Sequence, residues 1–194
     1  MRQFVYFSAS AATSGNALSD GNLMHAGRMD IAIHTIIQGL FLSHDFRKDA
    51  VMHLVFYGQP DPPRHIQIQI KDETVINKKE ISKIIKKALY KYSEGKKIEA
   101  LPGVWIEKKS FLHLIEELSN EGNEIFILEK DGEDIRKVKI PKDCVFILGD
   151  HEGLPAKEMK RLKEVTKKVS VGNRMYFASQ TTAVVNNELD YRGI

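Results

Sequence analysis

The sequence predicts a single-domain α/β fold with a mostly parallel sheet flanked by helices, and three observations carry that expectation. Short apolar runs with strand spacing alternate along the chain with segments whose apolar residues recur every three or four positions. Val145 to Leu148 is an apolar run that stops abruptly at Gly149-Asp150-His151-Glu152-Gly153, as a strand buried on both faces does when it delivers a tight loop. A second short strand, Lys168 to Val171, ends in Gly172-Asn173. The two strands are expected to stop beside each other, with both glycine loops at the end of the sheet where open α/β folds hold ligands. Neither loop reads GxGxxG or a P-loop, which argues against the common dinucleotide and nucleoside triphosphate sites.

From the start of the chain, Gln3 to Ser8 reads as a strand, and residues 9–24 as a long loop of small and polar residues that includes Asp20 and Gly21. A helix follows from about Ala26 to Ser43, with Ile33, Ile36, Ile37, Leu40 and Phe41 on its buried side. Val51 to Tyr57 is a strand, Gly58 to Pro63 a stiff turn, and Ile66, Ile68 and Ile70 alternate with glutamines as in a strand with one wet face. Asn77 and Glu80 suit a helix N-cap pair ahead of Ile81, Ile84, Ile85, Ala88, Leu89 and Tyr92, with Gly95 as the stop. Val104 to Ile106 is a strand, Ser110 to Leu118 a helix closed near Gly122, and Glu124 to Leu128 a strand ending in an Asp131-Gly132 turn. Pro155 opens a helix to about Glu164, and the last helix runs from Ala178 to Leu189.

A chain of 194 residues can bury a real core in one domain. No apolar run approaches a membrane span, residues 1–20 carry no signal-peptide pattern, and the single Cys144 sits in an apolar strand as core packing. A reducing, cytoplasmic setting is the expectation. The net charge of +3 conceals segregation: residues 71–97 hold nine lysines against four acids, and residues 155–174 hold seven basic residues against two acids. Each segment is +5 and the remainder −7, which suggests a polyanionic partner or, equally, solvated helix faces.

Asp150-His151-Glu152 resembles a metal cluster on paper, but three successive side chains diverge and no second cluster has i, i+4 spacing, so no metal is expected. His34 has no partner at helical spacing and reads as structural. No GxSxG elbow or Cys–His pair supports nucleophilic hydrolysis. Gly27-Arg28-Met29-Asp30 places a guanidinium and a carboxylate two residues apart at a helix N-terminus. That pair is either a salt bridge favoured by the helix dipole or an anion-stabilising group beside a proton acceptor.

With these residues in view, the chain resembles the SPOUT methyltransferases, an α/β family with a deep C-terminal trefoil knot. It is most similar to the archaeal-type tRNA pseudouridine N1-methyltransferases that act at position 54. The matching pieces are AGRMDIAIHTIIQGLFLSHDFRKD at 26–49, YGQPDPP at 57–63, LPGVWIEKKSF at 101–111, VFILGDHEGL at 145–154 and NNELD at 186–190. The resemblance implies an N-terminal half, residues 1–100, that carries an RNA-facing loop and basic helix, and a knotted cofactor-binding half, residues 101–194. It implies S-adenosylmethionine held by Leu128, by Gly149, and by Val171, Gly172, Asn173, Arg174, Met175 and Tyr176. Asn173-Arg174-Met175 is more polar than the apolar stretch expected of relatives. A homodimer is implied as well, and Val184, Val185 and Leu189 beside Asn186 and Asn187 could serve such an interface or form one core face and one wet face.

The activity implied is transfer of a methyl group to N1 of a pseudouridine in the TΨC loop of tRNA, with Asp30 as general base or orienter and Arg28 as stabiliser of charge on the neighbouring carbonyl oxygen. Arg28, Lys83 and Lys87, with other lysines of 78–97 and 157–168, would contact RNA, the lysines through phosphates without reading sequence. The rivals are the same chemistry on ribosomal RNA and a non-catalytic RNA-binding assembly factor.

Overall fold

The computed structural model describes residues 1–18, 23–71, 76 and 78–194. Strand β1 (Arg2–Ser8) leads to helix α1 (Met29–Leu40), then β2 (Ala50–Phe56), β3 (Arg64–Ile68), α2 (Ile81–Lys91), β4 (Ile98–Leu101) and β5 (Val104–Glu107). The second half runs α3 (Phe111–Asn120), β6 (Glu124–Asp134), β7 (Cys144–Gly149), α4 (Ala156–Leu162), β8 (Thr166–Ser170) and α5 (Ala178–Arg192). One sheet holds all of these strands in the order β4-β5-β3-β2-β1-β7-β6-β8.

The parallel character is confined to β2-β1-β7-β6-β8, while β3, β5 and β4 extend it antiparallel, so the sheet is mixed rather than largely parallel. In the parallel part the central strands are buried on both faces. Phe4, Tyr6, Phe146 and Leu148 pack in the cluster that holds α1 and α5, whereas Val5, Phe7, Val145 and Ile147 pack with α3 and Leu162 of α4. Burial of each such side chain is worth about 1.5–3 kcal/mol.

Several boundaries move from their sequence-based positions. β7 and β8 do not stop side by side, because β6 lies between them. The expected Asp131-Gly132 turn is an irregularity inside β6: Leu128 and Glu133 both register with Val169, so residues 129–132 bulge out and the strand returns. A Cβ on Gly132 would stand 2.5 Å from the Val169 carbonyl carbon, which only glycine tolerates. α1 begins later than expected, since Gly27 and Arg28 both have positive φ and break the helix. Its buried stripe is Met29, Ala32, Thr35, Ile36, Gly39 and Leu40, with Ile33 and Ile37 at its margin and His34 exposed. Asn77 lies outside the described residues, and Glu80 takes the N-cap position of α2 without a side-chain cap bond.

Two side chains tie the ends of the chain to the sheet. The Asn186 amide on α5 donates to the carbonyls of Gln38 (2.9 Å) and Gly39 (3.3 Å) of α1 and accepts from Arg2 Nη1 at 3.1 Å. The buried Arg2 guanidinium also pairs with Asp190 (2.8 Å) and Asp49 (3.0 Å). Asn186 therefore lies on a core face of the same chain. On the other side of the sheet, Glu158 of α4 caps α3, accepting from the Leu112 N–H at 2.6 Å and from the Tyr57 hydroxyl at 2.8 Å, while that hydroxyl accepts from the Phe111 N–H at 2.9 Å.

A buried polar chain crosses β2, β3 and β5. His53 Nδ1 and His65 Nε2 are 2.9 Å apart, His53 Nε2 faces Gln3 Oε1 at 2.9 Å, and His65 Nδ1 faces Glu107 Oε1 at 3.0 Å. Burial pushes the Glu107 carboxyl up, but hydrogen bonds from His65 and Lys109 outweigh it and hold it at about 2. Two neutral imidazoles bring two protons to the three contacts they share, so a further proton would complete the chain. Burial is the larger effect, and with Lys97 and Lys109 nearby it holds both histidines below their ordinary pKa. The folded state thus binds fewer protons than the unfolded chain once pH falls below about 6.5, and stability falls with it. The melting temperature is expected to drop between pH 7 and pH 5, with up to about 1.4 kcal/mol per pH unit for each histidine. A flat profile over that window in a thermal melt would contradict neutral, buried rings.

Candidate active site

Because β1, β7, β6 and β8 are mutually parallel in that spatial sequence, their carboxyl ends open on one edge of the sheet. Phe7 registers with Gly149, Ile127 with Ile147, and Leu128 with Val169. The structure therefore sets Leu128, where β6 enters its bulge, Gly149 at the end of β7 and Val171 just past the end of β8 on neighbouring strands, although they lie far apart in the chain. Leu128, Val171 and Gly172 are half-buried, while Asn173, Arg174, Met175 and Tyr176 are exposed, Met175 to 84%. Ser170 shapes the last loop: its hydroxyl donates to the Gly172 carbonyl at 2.9 Å and accepts from the Gly172 N–H at 3.2 Å. Gly172 has φ +148 with open space where a side chain would be, so the backbone there is approachable from outside.

Gly149 needs to be glycine for a reason internal to the loop. A Cβ there would stand 2.8 Å from the carbonyl carbon of Gly153, across the turn that Asp150 closes. Asp150 accepts from the Glu152 N–H at 2.8 Å, and its own N–H donates to the Phe7 carbonyl at 3.0 Å.

The loop after β1 is wedged rather than loose at 9–13. A Cβ on Gly27 would fall 1.8 Å from the Ser10 carbonyl oxygen, and one on Gly58 2.3 Å from the same atom. The Ala12 N–H donates to the Ala26 carbonyl at 3.1 Å, and the Gly58 N–H to the Ala11 carbonyl at 3.0 Å. This packing leaves Arg28 as the one non-glycine residue with positive φ among the described residues, at φ 58 and ψ 40, capping α1. A bulky residue in that region costs about 1–3 kcal/mol and is held there by its surroundings. From this position Arg28 forks onto Asp30 in the first turn, Nε to Oδ1 at 3.0 Å and Nη2 to Oδ2 at 3.1 Å. The guanidinium hydrogen bonds hold the Asp30 carboxyl below the usual carboxylate range. Both groups stay partly exposed, 38% and 27%.

Lys83 and Lys87 lie on the exposed face of α2, Lys83 with Glu80 at 3.0 Å. α2 docks against the start of the long loop: the Tyr90 hydroxyl donates to Asn16 Oδ1 at 2.6 Å, and Gly15 seats against the Tyr90 ring. The second basic segment is less available than its charge suggested, since Lys167 pairs with Glu124, and Lys168 with Glu129 at 2.5 Å. Cys144 is buried and its thiol pushed up to about 11 by that burial, as inert packing requires. Among the described residues no three His, Cys, Asp or Glu side chains group as a metal site would need.

Sequence reasoning missed a cluster on β1 and the Gly149 loop. The Ser8 hydroxyl donates to Asp150 Oδ2 at 2.6 Å and accepts from the Ala11 N–H at 3.0 Å, joining the two loops. Beside it the buried Tyr6 hydroxyl makes no hydrogen bond of ordinary length among the described residues. Nothing in the sequence says that β1 lies next to β7, and Tyr6 in an apolar strand reads as core.

Comparison with known proteins settles the family. A family model described as "Putative SAM-dependent RNA methyltransferase" matches residues 1–194. The chain is 36% identical to the tRNA (pseudouridine(54)-N(1))-methyltransferase of Methanococcoides burtonii, over 98% of this chain and 96% of that protein. It is 38% identical to the enzyme of that description from Methanocella arvoryzae, covering 99% and 100%, and 35% identical to that from Pyrococcus abyssi, covering 100% of each. The chain belongs to this family of S-adenosylmethionine-dependent RNA methyltransferases. The fold is also that of Archaeoglobus fulgidus Nep1, crystallised with S-adenosylhomocysteine, at TM-score 0.65 and 15% identity over 100% of this chain and 99% of that one.

Because Gly149 packs on Gly153, Gly149→Ala is expected to displace the loop at about 1–3 kcal/mol. Calorimetric titration should then give weaker binding of S-adenosylmethionine, and a lower melting temperature. Wild-type affinity with wild-type stability would place the cofactor elsewhere.

Proposed function

We propose that this enzyme methylates N1 of pseudouridine 54 in the TΨC loop of tRNA. The observation that carries the reading is the Arg28–Asp30 fork, held in a strained backbone conformation at the open end of the parallel strands. Full-length relatives that bear that activity in their names support it. S-adenosylmethionine supplies the methyl on a sulfonium sulfur: the N1–C bond forms as the S–C bond breaks, that bond's electron pair stays on sulfur, and the N1 proton is left for the protein to accept. Leu128, Gly149 and the Val171–Tyr176 loop would hold it, as approachable glycine backbone and exposed apolar side chains suit a nucleoside and thioether.

The protein's part is alignment, charge and the proton. Asp30 takes or orients the N1 proton, and Arg28 steadies the negative charge that spreads onto the carbonyl oxygen beside N1. In the ligand-free state each spends itself on the other, and Asp30 held at low pKa is a poor base. The pair must therefore open when the flipped base arrives. Lys83 and Lys87 on α2 hold phosphates on the approach.

The trefoil knot belongs to this reading. It is supported by the order β7-β6-β8, by the Ile135 N–H donating to the Ser170 carbonyl at 2.9 Å, and by Arg192 of α5 reaching the carbonyls of Val138 and Ile135, each at 2.7 Å. Those contacts lay the β6–β7 connection against the returning C-terminal helix. A cytoplasmic homodimer completes the reading. Exposed Met175, Tyr176 and Phe177 offer it apolar surface beside the cofactor loops, and light scattering should read twice the chain mass.

Asp30→Asn keeps the shape and removes the charge, so single-turnover transfer to tRNA bearing pseudouridine 54 is expected to fall about a hundredfold or more. Affinity for both ligands should stay. Arg28→Lys should also lose rate, because an ammonium lacks the planar fork. Lys83→Glu with Lys87→Glu should weaken tRNA binding alone. Normal transfer in Asp30→Asn, with only a lower melting temperature, would reduce the fork to a helix cap.

A further inference from the structure

We propose that Tyr6 is a positioning residue for methyl transfer, its hydroxyl donating to the Asp30 carboxylate once Arg28 turns from Asp30 to the bound base. The inference rests on the reading of Arg28 and Asp30 given above, and its starting point is an accounting of donors.

Tyr6 lies on the central strand β1, in register with Leu148 one residue before Gly149, and its side chain is fully buried on the α1 side of the sheet. Its ring packs in the cluster that includes Met29, the residue between Arg28 and Asp30. Its hydroxyl makes no hydrogen bond of ordinary length among the described residues, and the Ser8 hydroxyl beside it is already committed to Asp150 and the Ala11 N–H. Leaving a buried hydroxyl unsatisfied is costly enough that phenylalanine would serve packing better, so the unspent donor calls for a reason. The charged groups around it are those of the site: Asp150 from the β7 loop, then Asp30 and Arg28 from the start of α1. Burial first, and then the two carboxylates, raise the phenol's pKa, so it keeps its proton and can only donate to an anion.

The two carboxylates differ in what they lack. Asp150 already accepts from Ser8 Oγ and the Glu152 N–H, bonds that no ligand has to break. Asp30 takes both of its side-chain hydrogen bonds from Arg28. Once Arg28 serves the charge on the base, the Asp30 oxygens lose both side-chain partners and keep only the backbone N–H groups of Asp30 and Ile31 near them. Among the described residues, the buried side-chain donor left unspent beside this pair is Tyr6. A phenol supplies a single hydrogen bond where the guanidinium supplied two. It would orient the carboxylate while leaving one oxygen for the N1 proton, and without the net positive charge that holds Asp30 too acidic to act as a base.

Tyr6→Phe keeps the ring and deletes the donor. Its melting temperature is expected to equal or exceed that of wild type, since an unsatisfied buried hydroxyl is removed. Affinities for S-adenosylmethionine and tRNA, read by titration, should be unchanged. Single-turnover transfer should fall about tenfold, the scale of one hydrogen bond to a charged group. The acid limb of the rate–pH profile should move to higher pH, because Asp30 loses a donor that favours its ionised form. In an Asp30→Asn background the Tyr6→Phe change should cost little further, as the two act through one group. A wild-type rate with an unmoved acid limb overturns the proposal. So does the same tenfold loss in the Asp30→Asn background, or a loss confined to cofactor affinity, which would make Tyr6 a cofactor contact. The wild-type rate on tRNA with pseudouridine 54, measured alongside, tests the underlying function separately: an inactive wild type condemns that reading, whereas an active wild type with an unaffected Tyr6→Phe condemns only this one.

Discussion

Four parallel strands, β1, β7, β6 and β8, are the constraint on which the rest depends. Parallel neighbours point their carboxyl ends the same way, so every loop that leaves them emerges at one edge. The pairing is stabilised by burial on both faces, with Phe4, Tyr6 and Phe146 toward α1 and α5, and Val5, Phe7 and Ile147 toward α3 and α4. Without it Leu128, Gly149 and Val171 would be distant points on a chain. The ends of the molecule depend on it too, since Arg2 at the start of β1 and Asn186 on α5 meet across the sheet's edge and hold α5 against α1.

On that frame the active end is rigid where the backbone is concerned and poised where the side chains are. Glycines at 27 and 58 let the 9–13 segment be gripped from two sides, and Ser8 joins it to the Asp150 loop. The backbone there is set by packing within the chain, and on the proposed reading that would align a base against a methyl group before either ligand arrives. The Arg28–Asp30 fork is the part free to change. Its ion pair is partly exposed and modest in strength, so on the proposed reading a base that competes for the guanidinium would open it.

Much of this was legible in the residues, and the failures have physical causes. The strand at 145–148, the amphipathic face of α2 and the helix expected over 110–118 follow from local periodicity, and each stands where it was expected, with Ser110 as the N-cap of α3. β4 was missed because Ile98–Leu101 is a short edge strand whose residues stay half-exposed. The bulge in β6 looked like a turn because Asp131-Gly132 carries turn chemistry, while the close approach of Val169 that demands the glycine is a tertiary fact. Neighbour order in a sheet leaves no trace in periodicity, hence the misplaced adjacency of β7 and β8. The Arg28–Asp30 pair could be named from its spacing. The left-handed backbone at Arg28 and the unspent Tyr6 hydroxyl could not, since both arise from packing between segments remote in sequence.

The central claim is the atom that is methylated. A tRNA carrying pseudouridine 54, and a matched transcript carrying uridine 54, can be incubated with the enzyme and S-adenosylmethionine, digested, and mapped by nucleoside and fragment mass spectrometry. Uridine has its glycosidic bond at N1 and offers no N1–H. The account predicts one added methyl group at position 54, recovered as N1-methylpseudouridine, and none on the uridine transcript. Methylation of both transcripts, or of the pseudouridine transcript at another position or atom, would contradict it.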